Sequence, residues 1–462
     1  MIGGGLAGCE AALTAARLGC DVDLYEMRAM VDGKPRLTPA HQTTDFGELV
    51  CSNSLKSESP NTAPWLLKQE MRRAGSALLR IADTCAVPAG HALAVDRVQF
   101  SRRIAEAMEA EPRIRVIREE VTRLEDALLQ NQDGTKCQDE NGTNCQNQEK
   151  TIVATGPLTS DALSREIERL TGTGHLAFYD SISPIVDADS IDMSRVYFAA
   201  RWEKGTADYI NCPMDRAEYD RFYDALLAAE AAESKEWEKL DYFEGCLPIE
   251  VLATRGRDTL RFGPMKPVGL RDPRTGKNPW AVVQLRKENL RADSYNLVGF
   301  QNHLKFGEQA RVLRLIPGLE DARFLRYGQI HRNTYICAPA LIDETLFLKN
   351  SAKRLAFAGQ ISGVEGYTES IATGMLAGIY AAAMARGEEP IPVPRATAMG
   401  SLVHYITHAD PKNFQPANIT FDLLEPLEEE VRKKIRDKKE RRRLVCERAL
   451  AAFEAWRAGA RL

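Results

Sequence analysis

MIGGGLAGCEAALTAARLGCDVDLYE, residues 1–26, decides how the rest of the chain is read. Gly3, Gly5 and Gly8 fit G-x-G-x-x-G, and the alanine-rich run that follows predicts a helix to Leu18 that stops at Gly19. VDLYE then reads as a strand ending on Glu26, close to the roughly 20-residue spacing at which a dinucleotide-binding βαβ unit places its acid. In such a unit the backbone of Gly3, Gly4, Gly5, Leu6, Ala7 and Gly8 comes close to a pyrophosphate, whose charge sits on the positive end of the helix. Glu26 accepts from a ribose hydroxyl. Only Met1 and Ile2 precede the turn, where a strand in the middle of a parallel sheet normally takes about five residues. The first strand is therefore expected to be shortened, at a cost to sheet stability and cofactor affinity.

A chain of 462 residues, 44% apolar and 27% charged, is an ordinary globular composition, too long for one compact core, so two or three domains are expected. No apolar run reaches the length of a membrane span, and the N-terminus is glycine-rich rather than basic and then apolar. A cytoplasmic location without membrane contact follows as the expectation. The ten cysteines then read as reduced thiols, and none forms a C-x-x-C pair, which argues against zinc or a thioredoxin-like centre. A net charge of −4 does not announce a nucleic-acid binder, yet Arg432 to Arg443 (RKKIRDKKERRR) is strongly basic. The preceding EPLEEE suits a solvated helix with acids first and bases last, so phosphate contact and plain solvation both stay open for this run.

Along the chain, helices are expected from about Trp65 to Arg80 and over Val98 to Ala110, and IRVIREEVTRL reads as two short strands. Asp126 to Lys150 is polar, with Asp-Gly and Asn-Gly turns, and reads as a hairpin or loop. TIVATGP is an apolar strand ending at Ala154, Thr155 and Gly156. LAFAGQISGVEGYTESIATG repeats the scheme, with a strand from Leu355 to Ala358, a turn at Gly359 and Gln360, a second loop from Gly363 to Gly366, and a helix from about Glu369. In this order the pieces resemble an FAD-binding, Rossmann-like α/β fold: three layers around a central parallel sheet, with an inserted α+β substrate domain and a helical C-terminal cap. The expected division is residues 1–170 and 351–394 for the FAD-binding part, 171–350 for the insert and 395–462 for the cap. No second G-x-G-x-x-G occurs, so a separate nicotinamide domain is not expected.

Seven longer stretches carry a more specific signal: GELVCSNSLKS, AVPAGHALAVDR, YFEGCLPIEVLATRGRDTLRFGPMKPVGL, NLVGFQNHLKFGEQ, HRNTYI, FAGQISGVEGYTESIATG and GSLVHYITHADPKNFQP. Together they resemble the bacterial FAD- and methylenetetrahydrofolate-dependent tRNA (uracil-5-)-methyltransferases. The Gln/Asn-rich segment before TIVATGP and the short first strand depart from that pattern. The resemblance implies that a methylene group from 5,10-methylenetetrahydrofolate reaches C5 of the T-loop uridine of tRNA by way of reduced FAD. NAD(P)H supplies the electrons, and no obligate protein partner is implied.

C5 of uracil is a poor nucleophile until a group adds at C6, a task suited to a thiolate, and the C5 proton must then leave to a base. By resemblance Cys246 in FEGCLPIE is the nucleophile, and Cys51 in GELVCSNS is the base or a flavin-adduct partner. The other eight cysteines read as small buried hydrophobes. Arg255, Arg257, Arg261 and Lys266 suit phosphates or a folate carboxylate, with a structural ion-pair network as the equal alternative. His331 could stack on a pterin or simply satisfy the core. His404 and His408 lie one helical turn apart, but without a matching acid motif no metal is expected. A flavin reductase or disulfide oxidoreductase would want a paired redox cysteine motif. The related flavoproteins that build carboxymethylaminomethyl uridine share the flavin loops but are longer, and a non-catalytic RNA-binding flavoprotein would need only the basic run.

Overall fold

The computed structural model describes the chain except residues 39, 125–148, 173–175, 182, 204–205, 232–246, 329, 350 and 352–353, and the side chains of 176–181 and 330–332. The opening residues do form the expected turn and helix. The helix Leu6–Arg17 starts at Gly5 with no side-chain cap, and Gly19 follows it at φ 92. Its alanines are small enough to lie against the helix Tyr367–Ala385. There Gly374 and Gly378 admit the backbone of Ala7 and Ala11, and an added Cβ would come within 2.2 Å and 2.6 Å of the Ala7 and Ala11 carbonyl oxygens.

Parallel pairing joins Val22–Tyr25 to Ile114–Ile117 and Thr151–Val153 to Leu355–Phe357. Between these two pairs stands Ile2, which bridges Tyr25 on one side and Val153 on the other. Its neighbourhood supplies Ile2 N to Ile152 O (2.9 Å), Gly3 N to Tyr25 O (2.8 Å), Tyr25 N to Met1 O (2.9 Å) and Ala154 N to Ile2 O (2.8 Å). The short first strand thus holds the central place of the sheet and brings the Gly3 turn, Glu26 and Thr155 to one end of it. That end is where an open α/β sheet binds ligands.

The helix expected over Trp65 to Arg80 is two, Ala63–Arg73 and Ala77–Thr84, broken at Gly75 (φ 83), with Ser76 capping the second through Leu79 N at 3.3 Å. The next runs Arg97–Ala110, capped by Asp96. IRVIREEVTRL supplies one strand, Ile114–Ile117, rather than two, because alternation of apolar and polar residues ends at Arg118. The hairpin or loop expected over Asp126 to Lys150 lies almost wholly outside the described residues.

The chain passes through an antiparallel pair, Leu176–Ser181 with Ile330–Tyr335, that flanks a second core. This core covers one face of a six-stranded antiparallel sheet in the order Tyr197–Ala199, Tyr209–Met214, Ala281–Lys287, Ser294–Leu297, Ile185–Asp187, Phe324–Arg326. Ala281, Val283 and Leu285 point into it with Phe222, Phe300 and Ile249. The helix Arg216–Leu227 opens with a reciprocal cap, Asp215 and Glu218 each satisfying the other's backbone N–H. The tail is helical, Ala398–His408, Glu429–Lys434 and Lys438–Gly459, and Phe453 and Trp456 return to the first core.

Candidate active site

A cleft opens at the glycine end of the parallel sheet. Gly3, Gly4, Gly5, Leu6, Ala7, Glu26, Ala154, Thr155, Gly156, Gly359 and Gln360 line it, with Arg28, Tyr367 and Ser370. Two helices aim N-termini at it, Leu6–Arg17 from Gly5 and Tyr367–Ala385 from Gly366 (φ 109), and neither has a side-chain cap. Their first N–H groups are thus available to an anion. Gly5 and Gly156 have no neighbouring atom within 4 Å of an added Cβ, so a side chain at either would project into the cleft rather than into protein. This bare backbone fits a dinucleotide cofactor such as FAD, whose pyrophosphate needs close main-chain approach. Gly8, by contrast, serves packing, since its Cβ would lie 1.8 Å from Gly3 O.

Glu26 is 5% exposed and its carboxylate is already engaged. One oxygen accepts from Gly4 N (2.8 Å) and Arg28 Nη2 (3.2 Å), the other from Arg28 N (2.8 Å) and Arg28 Nε (3.1 Å). Burial alone would raise its pKa, but the Arg28 charge and these hydrogen bonds hold it below the usual carboxylate range. A ribose hydroxyl would share an acceptor that also shapes the glycine turn.

Cys51 follows Val50, a cleft residue, in a loop fixed from three sides. Its backbone N–H donates to Tyr367 Oη (2.8 Å), Ser52 N donates to the same oxygen (3.2 Å), and Tyr367 Oη–H donates to Cys51 Sγ (3.2 Å). Burial and the adjacent Cys51 push the Tyr367 pKa well up, so the phenol stays protonated and keeps donating. Asn53, fully buried, ties the loop to Val95 O (3.0 Å) and Lys287 O (2.9 Å), and Lys56 reaches Glu369 (2.6 Å) and Asn418 (2.7 Å). Arg286 Nη2 donates to Ser52 Oγ at 3.0 Å. Burial works against the Arg97 charge, but Glu288, bonded to its Nε, together with Tyr367 and Cys51, outweighs it and raises the pKa. Arg326 is pulled down by burial and by Arg97. The thiol therefore lies beside the Arg97 charge, in a loop that Arg286 also binds through Ser52. Tyr367, Arg97, Arg326 and Arg286 were not among the sequence candidates, and no local pattern marks them.

Cys246 lies outside the described residues, as does the side chain of His331, while Leu247 and Pro248 lead into the helix Ile249–Thr254. Arg257 bridges Asp220 (2.8 Å) and Asp224 (2.5 Å) and lies 4.5 Å over the Tyr223 ring. Arg261 binds Asp258 (2.7 Å) and Trp280 O (3.0 Å) and stacks 3.6 Å over Trp280. These two serve an ion-pair and stacking network; Arg255 and Lys266, like Arg257, are exposed. Gly366 sits against Lys56 and Glu369, under the first turn of its helix. The missing acid for His404 and His408 is Glu344, whose carboxylate is 3.7 Å from His408 Nε2. The three donor atoms all lie within 4.8 Å of one another, and the imidazoles stack at 4.3 Å. Of the other cysteines, Cys9, Cys85, Cys212 and Cys446 are buried, and burial pushes their thiols up, Cys446 to about 12.

The basic run divides. Arg441 caps Ile435 O (2.5 Å), Arg442 lies 4.9 Å over Phe421 and Arg443 pairs with Glu440 (2.6 Å). Arg432, Lys434, Arg436, Lys438 and Lys439 point to solvent. No helix among the described residues is long and apolar enough to cross a membrane.

The family described as glucose inhibited division protein A (GIDA) matches residues 1–389. A solved structure of GidA from Aquifex aeolicus, in its form II crystal, has a TM-score of 0.68 at 18% identity, covering 100% of this chain and 72% of that one, a likeness of fold. A methylenetetrahydrofolate–tRNA-(uracil-5-)-methyltransferase TrmFO from Koribacter versatilis (strain Ellin345) is 66% identical over 458 residues, 99% of this chain and 97% of that protein. Proteins of the same name from Solibacter usitatus (strain Ellin6076) and Bacillus cytotoxicus are 59% and 50% identical, each over at least 97% of both chains. With identity of this depth over nearly the whole length, the chain belongs to the glucose inhibited division protein A family and, within it, to the methylenetetrahydrofolate–tRNA-(uracil-5-)-methyltransferases.

Proposed function

We propose that this methyltransferase forms 5-methyluridine at the T-loop uridine of cytoplasmic tRNA, taking the one-carbon unit from 5,10-methylenetetrahydrofolate and electrons from NAD(P)H through FAD. The carrying observation is the thiol of Cys51, clasped by a tyrosine that itself lines a glycine-walled cleft, in a chain 66% identical to a protein of that activity's name. FAD in the cleft supplies hydride and carries the one-carbon unit. The residues supply the rest. Gly3 to Ala7, Gly156 and the two helix N-termini hold the pyrophosphate, and Glu26 orients the ribose edge. Cys246 adds to C6 of uracil, which makes C5 nucleophilic. After C5 has bonded to the one-carbon unit, Cys51 would take the C5 proton as that unit parts from its carrier, and hydride arriving at the same carbon would restore the C5=C6 bond and expel Cys246 as its thiolate. Tyr367 holds the Cys51 sulfur in place for that transfer, with the Arg97 charge beside it. The segment carrying Arg255 and Lys266 belongs to the insert at residues 171–350, which we read as the substrate side.

The test is methylation of unmodified tRNA with labelled methylenetetrahydrofolate by wild type, Cys51→Ser and Cys246→Ser, after recording the visible flavin spectrum. Both variants are expected to keep the flavin and to lose methyl transfer, because a serine hydroxyl is hardly ionised near neutral pH. Near-normal turnover in either removes that cysteine from the mechanism.

A further inference from the structure

Trp202 is 62% exposed, and its backbone sits at φ 60, in the left-handed region that bulky residues avoid and that persists only where the surroundings enforce it. The loop 263–270 enforces it. Trp202 N donates to Gly269 O (2.7 Å), and Arg201 donates to Val268 O (2.7 Å) and Lys266 O (2.8 Å). A Cβ on Gly269 would meet indole Cε2, Cδ2 and Nε1 at 2.8, 2.9 and 2.9 Å. Three ring atoms at nearly one distance mean that the indole lies face-on across Gly269. One face is covered by backbone and the other is open to solvent.

Polar contacts lead from the neighbouring Arg201 along one strand to the loop that carries Cys51. Arg201 Nη2 donates to Gln284 Oε1 (3.0 Å), while Arg286 donates to Ser52 Oγ (3.0 Å), beside Cys51. Gln284 and Arg286 alternate on the strand Ala281–Lys287 and face the same side, about 7 Å apart. This is the side turned away from the core that takes Ala281, Val283 and Leu285. Phe262, 79% exposed, precedes the loop. Lys266, Arg271 and Lys277 around it are exposed, whereas Asp258 and Asp272 are closed by Arg261 and Arg274. The surface around Trp202 is therefore aromatic and mainly cationic, with Glu203 as its exposed acid.

We propose that Trp202 is a stacking platform for an unpaired base of the RNA substrate; this rests on the tRNA-methylation reading above. A base taken out of a folded loop leaves its neighbours unstacked, and an aromatic face of this kind replaces that stacking without reading sequence, while nearby cations meet the phosphates.

The test is the affinity of holoenzyme for end-labelled unmodified tRNA, by fluorescence anisotropy at several salt concentrations, for wild type, Trp202→Ala and Trp202→Phe. Loss of one stacked base should weaken binding by about 5- to 150-fold in Trp202→Ala. Trp202→Phe should stay within about threefold, and neither should change the salt slope, because no phosphate contact is lost. Flavin spectra and thermal midpoints should match wild type. Unchanged affinity in Trp202→Ala overturns the proposal, as does a Phe variant as weak as the Ala variant. If wild type methylates tRNA while Trp202→Ala binds as well, only this proposal falls. If wild type neither binds nor methylates tRNA, the reading beneath it falls as well.

Discussion

Tyr367 Oη donates to Cys51 Sγ at 3.2 Å and in the same position accepts from the backbone N–H of Cys51 at 2.8 Å, so one phenol holds both the backbone and the sulfur of the residue. Tyr367→Phe keeps the ring and removes both functions. Two backbone donors lose their partner, at about 1–3 kcal/mol, and the thiolate loses a hydrogen bond. Alkylation of Cys51 by iodoacetamide at neutral pH, followed by peptide mass spectrometry, should slow several-fold. An unchanged rate would leave Tyr367 as a backbone clasp only.

Two glycines of one motif should fail in different ways. Gly8→Ala drives a methyl into Gly3 O and should lower stability by about 3 kcal/mol through overpacking. Gly5→Ala meets nothing within 4 Å, so the flavin-free protein should melt as wild type does while flavin affinity falls at least tenfold. Equal flavin affinity in Gly5→Ala would show that no ligand comes close to that backbone.

Buried carboxylates give stability a pH dependence of definite sign. Glu70 caps Ala398 N (2.7 Å) and Met399 N (2.8 Å), and burial pushes its pKa up to about 8. Glu10, which accepts from Leu78 N, is likewise pushed up to about 7. A folded-state pKa above the unfolded 4.5 means that the folded form holds the proton more tightly. The resulting stability is fully present below about pH 4.5 and is lost as pH rises towards 8. In Glu70→Gln the share of this slope owed to Glu70 should be missing while that of Glu10 remains, and the gap in thermal midpoint to wild type should narrow from pH 5.5 to pH 8.5. Parallel curves would count against an ionising Glu70.

The cap's cations separate into engaged and free. Glutamine at Arg432, Lys434, Lys438 and Lys439, all exposed, should weaken tRNA binding and flatten its salt dependence by several phosphate equivalents, leaving the methylated position unchanged. Arg441→Gln instead frees the Ile435 carbonyl and should cost stability. No change in the salt slope of the quadruple variant would assign this face to solvent.

Local pattern carried the glycine turn, the two later strand–glycine–helix units and Glu26, because each is a short-range rule of backbone geometry. It did not carry the clasp on Cys51, since Tyr367 is 316 residues away and only the fold joins them. Nor could composition tell Arg257, paired with Asp220, from Lys266, left in solvent, for both sit in one basic segment. Gly75 and Ser76 split a helix expected to be continuous, and in retrospect a glycine followed by a serine cap was the readable sign.

The lodging of Ile2 between Tyr25 and Val153, with Ala7 pressed on Gly374, means that the cofactor wall is assembled from both halves of the gene product. During synthesis the first helix must wait for Tyr367–Ala385 to leave the ribosome, so its apolar alanine face stays uncovered for most of translation. The cleft wall can therefore close only after the last third of the chain has emerged.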